Sequence, residues 1–547
     1  MTERAIPQAS APGSAQSTAR HLIVYMLLAV LLTITAIGVA GLLERMFDAA
    51  APFAGSDVGD LALSLAFAFI GGPLAVALWW SVWRRLSDES ERGSLAWGLY
   101  LSTMYSVALV VAASALLSAA TGLVVGRLLS AELATGITWA LVWVLHRRVL
   151  RDPRKRPERL ATVPGLIATA YGLVLGLVGA VGTVGAVLDA AIRTTDQVEL
   201  AGVPWWHGPV QTSFSLVLGA AIWSWHWFRD GARHVATAFG DVVLIVVGVV
   251  VTAVVMLGGL AAALFAALRL VFDPGEATDV VLEPLGPAIA AAIVGALAWT
   301  YHQPIAEGRS DSTRRARRLA MSAIGLGATA VGIGVILNAV LAASVSPLAA
   351  SETRTLLLGG LSALVVGGPT WWLSWRPTRA LDPVEVADPG RRVYLVVVFG
   401  ASALVALVAL LVVGYRVFEF ILDPATSGSL VDRIRAPLGL LVATVLVFGY
   451  HFAVWRHDRA VIAALAPTKA QRIGRIFLIL PADDPALERR IARETGARVT
   501  AWHRAETDGG PAPDAEAVVT ALYGLAAPRV LVLAGPGDHL EIVPLKG

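Results

Sequence analysis

The sequence predicts an all-α polytopic membrane protein, with about twelve transmembrane helices as six direct hairpin repeats and a small C-terminal α/β domain. Three observations carry this expectation. Hydrophobic residues fill 56% of the 547 positions and charged residues only 15%, outside the range of soluble globular chains. Apolar stretches long enough to cross a hydrocarbon core of roughly 30 Å, at about 1.5 Å per helical residue, recur along the chain. The ends of alternate stretches repeat one short signature: an aromatic residue, an aromatic or histidine three positions later, and then usually arginine.

Residues 1–20, rich in Ala, Ser, Pro and Gln, read as a disordered tail. Spans are expected at 21–46, 60–83, 96–126, 133–149, 163–192, 211–228, 240–271, 284–302, 318–343, 354–375, 392–421 and 436–456. The run from Leu22 is too long for a cleaved signal and reads as a retained helix. The signature reads Trp80-x-x-Trp83-Arg84, Trp143-x-x-His146-Arg147, Trp225-x-x-Phe228-Arg229, Trp299-x-x-His302-Gln303, Trp372-x-x-Trp375-Arg376 and Phe452-x-x-Trp455-Arg456. It returns about every 63 to 82 residues and closes units at about 20–90, 91–160, 161–235, 236–312, 313–385 and 390–460, forming a transmembrane repeat domain over 21–460. Two spans per unit give every unit the same orientation, unlike the inverted repeats of many transporters.

Arginine clusters such as Arg147, Arg148, Arg151, Arg154, Lys155, Arg156 and Arg159 sit between units, while connections inside units hold mostly one. The positive-inside rule then places both termini in the cytoplasm of a bacterial inner-membrane protein, although Arg416, Arg433 and Arg435 fall on the predicted outer side. Gly71-Gly72-Pro73 and Gly367-Gly368-Pro369 are the expected bends, because proline removes a backbone bond. Gly172, Gly176, Gly179, Gly182 and Gly185, with Gly325, Gly327, Gly332 and Gly334, form small-residue faces for close helix packing.

Repeated two-helix units whose second helix ends in a stretch such as Gly368-Pro369-Thr370-Trp371-Trp372-Leu373-Ser374-Trp375-Arg376 resemble the bacterial DUF5671 membrane domain. The resemblance covers about 20–460. That family has no assigned activity, so the likeness implies an architecture and no mechanism.

Past residue 470 the pattern changes. Arg475–Leu480 reads as a buried strand, Pro485–Thr495 as an amphipathic helix and 498–502 as a second strand. A helix near 514–525, a strand at 529–533 and a hairpin turn at Gly535-Pro536-Gly537-Asp538 complete a cytosolic α/β domain over 471–547.

No catalytic, cofactor or metal constellation stands out. Cysteine is absent, which excludes disulfides and thiol chemistry. A formal charge of +3 gives no reason to expect nucleic acid as a partner. The Trp/His/Arg signature reads first as interfacial anchoring and packing, with lipid-headgroup contact as a compatible role. Histidines 146, 226, 302 and 451 sit at different signature positions, which disfavours paired haem ligation. Almost no ionisable residue lies mid-span, so ion coupling has little to rest on. The first expectation is a non-enzymatic membrane scaffold or sensor. Its partners would be the lipid bilayer and either a cytosolic protein or a second copy, met through 471–547. The alternative is a transporter, channel or lipid-handling protein, with a cavity lined by groups such as Thr33, Thr35, Tyr105, Thr252 and Asn338.

Overall fold

The computed structural model describes residues 13–48, 58–192, 204–345, 350–376, 386–422, 429–465, 473–480, 484–503, 514–522, 525, 527–534 and 540–545. The expected turn at 535–538 lies outside them. Among these residues twelve long helices follow in chain order: α1 (Gly13–Asp48), α2 (Val58–Arg85), α3 (Leu95–Val124), α4 (Ser130–Arg151), α5 (Val163–Ile192) and α6 (His207–Ser224). After these come α7 (Ala238–Phe272), α8 (Leu285–Glu307), α9 (Asp311–Val345), α10 (Ala350–Trp375), α11 (Pro389–Leu422) and α12 (Leu430–Leu465). Among the described residues, 10 helices are long and apolar enough to cross a membrane. The two expected spans outside that set are α4, whose C-terminal end carries Arg147, Arg148 and Arg151, and α6, which is only 18 residues long. The first helix starts at Gly13, inside the segment expected to be a tail.

Local chemistry sets the helix ends. Ser94 accepts the Trp97 N–H at the start of α3, and Asp88 accepts the Ser90 N–H ahead of the short turn Glu89–Arg92. That backbone hydrogen bond holds the Asp88 carboxyl below its ordinary pKa. The ladder of α2 widens into a π-helical turn, Phe67–Gly71, shortly before Pro73, a residue without an N–H and with a bulky ring. In α10, by contrast, Pro369 sits within a continuous helix. Two further π turns matter for the site: Trp225–Arg229, which continues α6, and Leu244–Val251, inside α7.

The contacts divide the chain into two units, 1–380 with 397–450, and 381–396 with 451–547. In the first, consecutive helices pair as hairpins: α3 with α4, α5 with α6, α7 with α8, and α9 with α10. The hairpin α5–α6 closes so tightly that a Cβ on Gly219 would fall on the backbone of Gly176. A second order of packing groups the helices in fours: α1 lies against α4 and α5 against α8, and α9 meets α12 where Gly334 abuts Gly439.

The second unit holds a four-stranded sheet in the order β2-β1-β3-β4, with β1 (Arg475–Leu480) parallel to β2 (Arg498–His503) and β3 (Arg529–Ala534), and β4 (Leu540–Leu545) antiparallel to β3. Alternation in β1 buries Ile476, Leu478 and Leu480 completely. Against that face packs α13 (Pro485–Thr495) through Leu487 and Ile491, one turn apart. Asp484 caps α13 at its start, and Gly496, at φ 67°, takes the left-handed position that ends it. The helix α14 (Ala515–Leu522) adds Val518 and Leu522 to the same core. In this unit Arg391, at the start of α11, makes a two-pronged bond to Asp458 on α12, at 2.7 and 3.1 Å, with both side chains more than nine-tenths buried.

Candidate functional site

The aromatic–arginine spacing of the signature has a simple helical meaning. Residues four apart share a face, so a tryptophan at position i lies beneath an arginine at i+4. Arg84 stacks over Trp80 at 4.6 Å, Arg147 over Trp143 at 5.3 Å and Arg229 over Trp225 at 4.8 Å. Near Phe452 and Trp455, themselves stacked at 5.6 Å, the arginine over Trp455 is Arg459, and Arg456 is exposed. Trp83 receives Lys155, whose Nζ lies 5.1 Å from its ring and donates to its carbonyl. Trp80, Phe228 and Trp372 are exposed, as is Arg376, whereas Trp375 is fully buried and Trp299 packs against a core cluster with Trp227 and Leu244.

The histidines stand in a register that the signature hides. Counted from the aromatic residue three positions before each, the sets are Trp143-x-x-His146, Trp223-x-x-His226, Trp299-x-x-His302 and Phe448-x-x-His451. All four imidazoles are buried, none more than 2% exposed. His146, His226 and His302 each bond through Nδ1 to the carbonyl four residues back, on Val142, Ile222 and Ala298. A carbonyl only accepts, so Nδ1 carries the proton and Nε2 of the neutral ring is left as an acceptor. Tyr100 Oη meets Nε2 of His146 at 3.2 Å, and Tyr105 Oη meets that of His226 at 2.7 Å. Both tyrosines belong to α3. His146 lies on the hairpin partner of α3, and His226 on the π turn that follows α6.

Around His226 lies a dense polar cluster of the first unit. Arg147 donates to Tyr105 Oη at 3.1 Å, comes within 3.4 Å of His226 Nε2, and reaches both carboxylate oxygens of Asp230 at 3.2 Å. Arg151 reaches Asp230 at 3.1 Å. The Arg147 guanidinium sits between the rings of Trp143 and Trp225, which fixes its plane. A cleft of about 190 Å³ opens beside these residues, lined also by Thr162 and Gly165 at the start of α5. His226 and Asp230, four residues apart at the π turn Trp225–Arg229, share this cleft. With two guanidiniums to one carboxylate, the cleft keeps one uncompensated positive charge.

Sequence reasoning offered Tyr105 as a cavity-lining group but missed Tyr100, Asp230 and a set of tryptophans four apart. Trp79 stacks with Trp83 and Trp223 with Trp227, both at 6.2 Å, and Trp371 and Trp375 hold the same spacing on α10. Trp227 and Trp375 donate their indole N–H to Tyr301 and Tyr450 at 2.9 and 2.8 Å, each tyrosine directly preceding a buried histidine. Trp79, Trp223 and Trp371 recur about 145 residues apart, a period visible in the sequence once helices are grouped in fours rather than in twos. Of the groups expected to line a transport cavity, Tyr105 lines the cleft described above and the others are engaged elsewhere. Thr33, Thr35 and Thr252 turn their hydroxyls onto their own helices, Tyr105 is held by His226 and Arg147, and Asn338 receives Arg435. Among the described residues there is no group of three or more His, Cys, Asp or Glu suited to a metal ion.

These features define a polytopic helical membrane protein joined internally by buried aromatic, histidine and arginine links. Residues 21–145 and 315–450 both match DUF5671, a domain of unknown function, so the chain carries two copies of that domain. Each match runs over four successive helical segments. No curated protein and no solved structure matches the chain.

Proposed function

We propose that the protein is a twelve-span, non-enzymatic scaffold or sensor of the bacterial inner membrane, with both termini cytoplasmic. Its repeat domain is three copies of a four-helix unit, α1–α4, α5–α8 and α9–α12, six hairpins in all. Its α/β domain at 471–547 associates with a second copy of the chain. The observation that carries this reading is the engagement of the most reactive side chains in bonds between helices: His146 to Tyr100, His226 to Tyr105, and Arg147 to Asp230. In the α/β domain, β2 stands at the edge of the sheet among the described residues and carries Trp502, 56% exposed, a position suited to receive a further strand. The transporter alternative draws less support, because its expected lining hydroxyls serve their own backbones.

Two differently tagged full-length chains should co-purify from mild detergent, and removing 471–547 from both should abolish this while leaving membrane insertion intact. Equal co-purification of the shortened chains would refute the role given to the α/β domain. Because the chain lacks cysteine, single cysteines placed in the 152–157 connection report topology directly. Labelling of that connection from outside the cell would refute the orientation.

A further inference from the structure

The cleft beside His226 is built from the end of α4, the start of α5 and the π turn after α6, next to the basic connection 147–159. Its two arginines are held differently. Arg147 is 11% exposed, fixed between two indoles and bonded to both oxygens of Asp230, whereas Arg151 is 55% exposed and gives a single N–H to the same carboxylate. Thr162 and Gly165 line the cleft where the 30-residue α5 begins. Of the first backbone groups there, the Val163 N–H goes to Leu160 and the Leu166 N–H to Thr162, Pro164 has none, and the Gly165 N–H has no acceptor among the described residues. A Cβ on Gly165 would meet nothing within 4 Å, so the space beside it is open. Tyr105 and His226, also in the lining, are bonded to each other, which leaves no bare imidazole acceptor to repel an anion.

A surplus guanidinium, an unmet backbone donor at a helix N-terminus and a hydroxyl, gathered in one open cleft, suit a small anion with several acceptor oxygens. We propose that this cleft binds a phosphate group, carried by the headgroup of an anionic phospholipid or by soluble phosphate. Arg151 supplies the charge and the strongest donors, and the Gly165 N–H and the Thr162 hydroxyl complete the shell. Asp230 holds Arg147 in place, and it limits the charge of the cleft by neutralising one of the two guanidiniums. At about 190 Å³ the cleft is smaller than the roughly 300–1,000 Å³ of drug-sized sites, so a phosphate group fits and a nucleotide does not. The proposal is independent of the scaffold reading and of the α/β domain.

The test titrates the full-length protein, in dodecyl maltoside and phosphate-free buffer, with dioctanoyl phosphatidic acid, with dioctanoylglycerol, which lacks the phosphate, and with orthophosphate. Heats are read by calorimetry, with titrations into protein-free micelles subtracted. Saturable binding of a phosphate-bearing probe is expected, with dioctanoylglycerol at least about tenfold weaker than the phosphatidic acid if the lipid is the carrier. Binding of phosphatidic acid without orthophosphate assigns the site to a lipid headgroup; binding of orthophosphate assigns it to soluble phosphate. Arg151→Gln should weaken binding about tenfold, the loss of a charge-assisted hydrogen bond. Arg148→Gln removes the same charge from an exposed residue of the same helix end that does not line the cleft, and should change binding less than about twofold. Asp230→Asn frees both guanidiniums and should tighten binding about fivefold, a gain that a purely structural role does not produce. The proposal is overturned by no saturable binding of either phosphate-bearing probe, by dioctanoylglycerol matching phosphatidic acid with orthophosphate inert, or by equal loss in the Arg148 and Arg151 variants. The three-probe comparison on the unaltered chain holds even where a variant does not fold.

Discussion

Replacing Tyr100 by Phe should destabilise the membrane region more than replacing Tyr105 by Phe, although Tyr105 makes the shorter bond to its histidine, 2.7 against 3.2 Å. Both changes remove one hydroxyl and leave the ring, and the phenyl ring left in place of Tyr100 would keep the stacking on Trp97 at 5.5 Å. The difference lies in what remains. His146 is fully buried with no second donor bonded to Nε2 among the described residues, so Tyr100→Phe leaves an orphaned acceptor, a loss of about 2 kcal/mol within the usual range of 1–3. At His226 the guanidinium of Arg147 already stands 3.4 Å from Nε2 and can move in, and the adjoining cleft admits water. The loss there should stay at about 1 kcal/mol or below. Reversible unfolding by dodecyl sulfate in mixed micelles, followed by near-ultraviolet circular dichroism, measures both. A double-mutant cycle of Tyr100→Phe with His146→Phe should return a coupling of about 1 kcal/mol. An equal or larger loss for Tyr105→Phe would refute the argument that a spare donor protects His226.

Two other changes separate structural from transport readings. Asp458→Ala removes the carboxylate that holds the buried Arg391 guanidinium at two points and should cost about 3 kcal/mol by the same unfolding assay, whereas Arg391→Met with Asp458→Leu should recover most of it; no recovery would mean that the ion pair contributes beyond its own charges. Thr252→Val should be neutral within about 0.5 kcal/mol, because the hydroxyl serves only the carbonyls of Gly248 and Val249. A clear loss of solute flux in that variant, measured in proteoliposomes, would restore the transporter reading.

Helices, sheet and the Trp–Arg stacks are legible in the sequence because each rests on local periodicity. The apolar run length fixes a span, alternation in 475–480 fixes β1, and a four-residue interval places Arg84 over Trp80. The polar cluster is not legible, because it joins residues far apart in sequence. Tyr105 and His226 are separated by 121 positions, and nothing near either announces the other. In the last copy the ring that carries an arginine is Trp455, with Arg459 four residues on, the same interval that sets Arg84 over Trp80.

Grouping the helices in fours also explains why the histidines look irregular in the sequence. A two-helix period sets Trp83 and Trp375 beside the histidines of other hairpins, as though the same position had changed residue type at random. The proposed four-helix period separates two jobs. The second helix of each group carries the tryptophans Trp79 and Trp83, Trp223 and Trp227, or Trp371 and Trp375, and the fourth carries His146, His302 or His451. His226 then falls outside the series, on the second helix of the middle group, and it is the histidine that reaches out of its own group, to Tyr105 on α3. Both π turns described beyond α2 lie in that middle group, one beneath His226 and one opposite His302. Local widening of a helix sacrifices ordinary backbone geometry and is found most often where a side chain must be re-aimed. Both distortions therefore fall in α5–α8, between the two DUF5671 matches, where the structure offers both a polar cleft and an apolar groove.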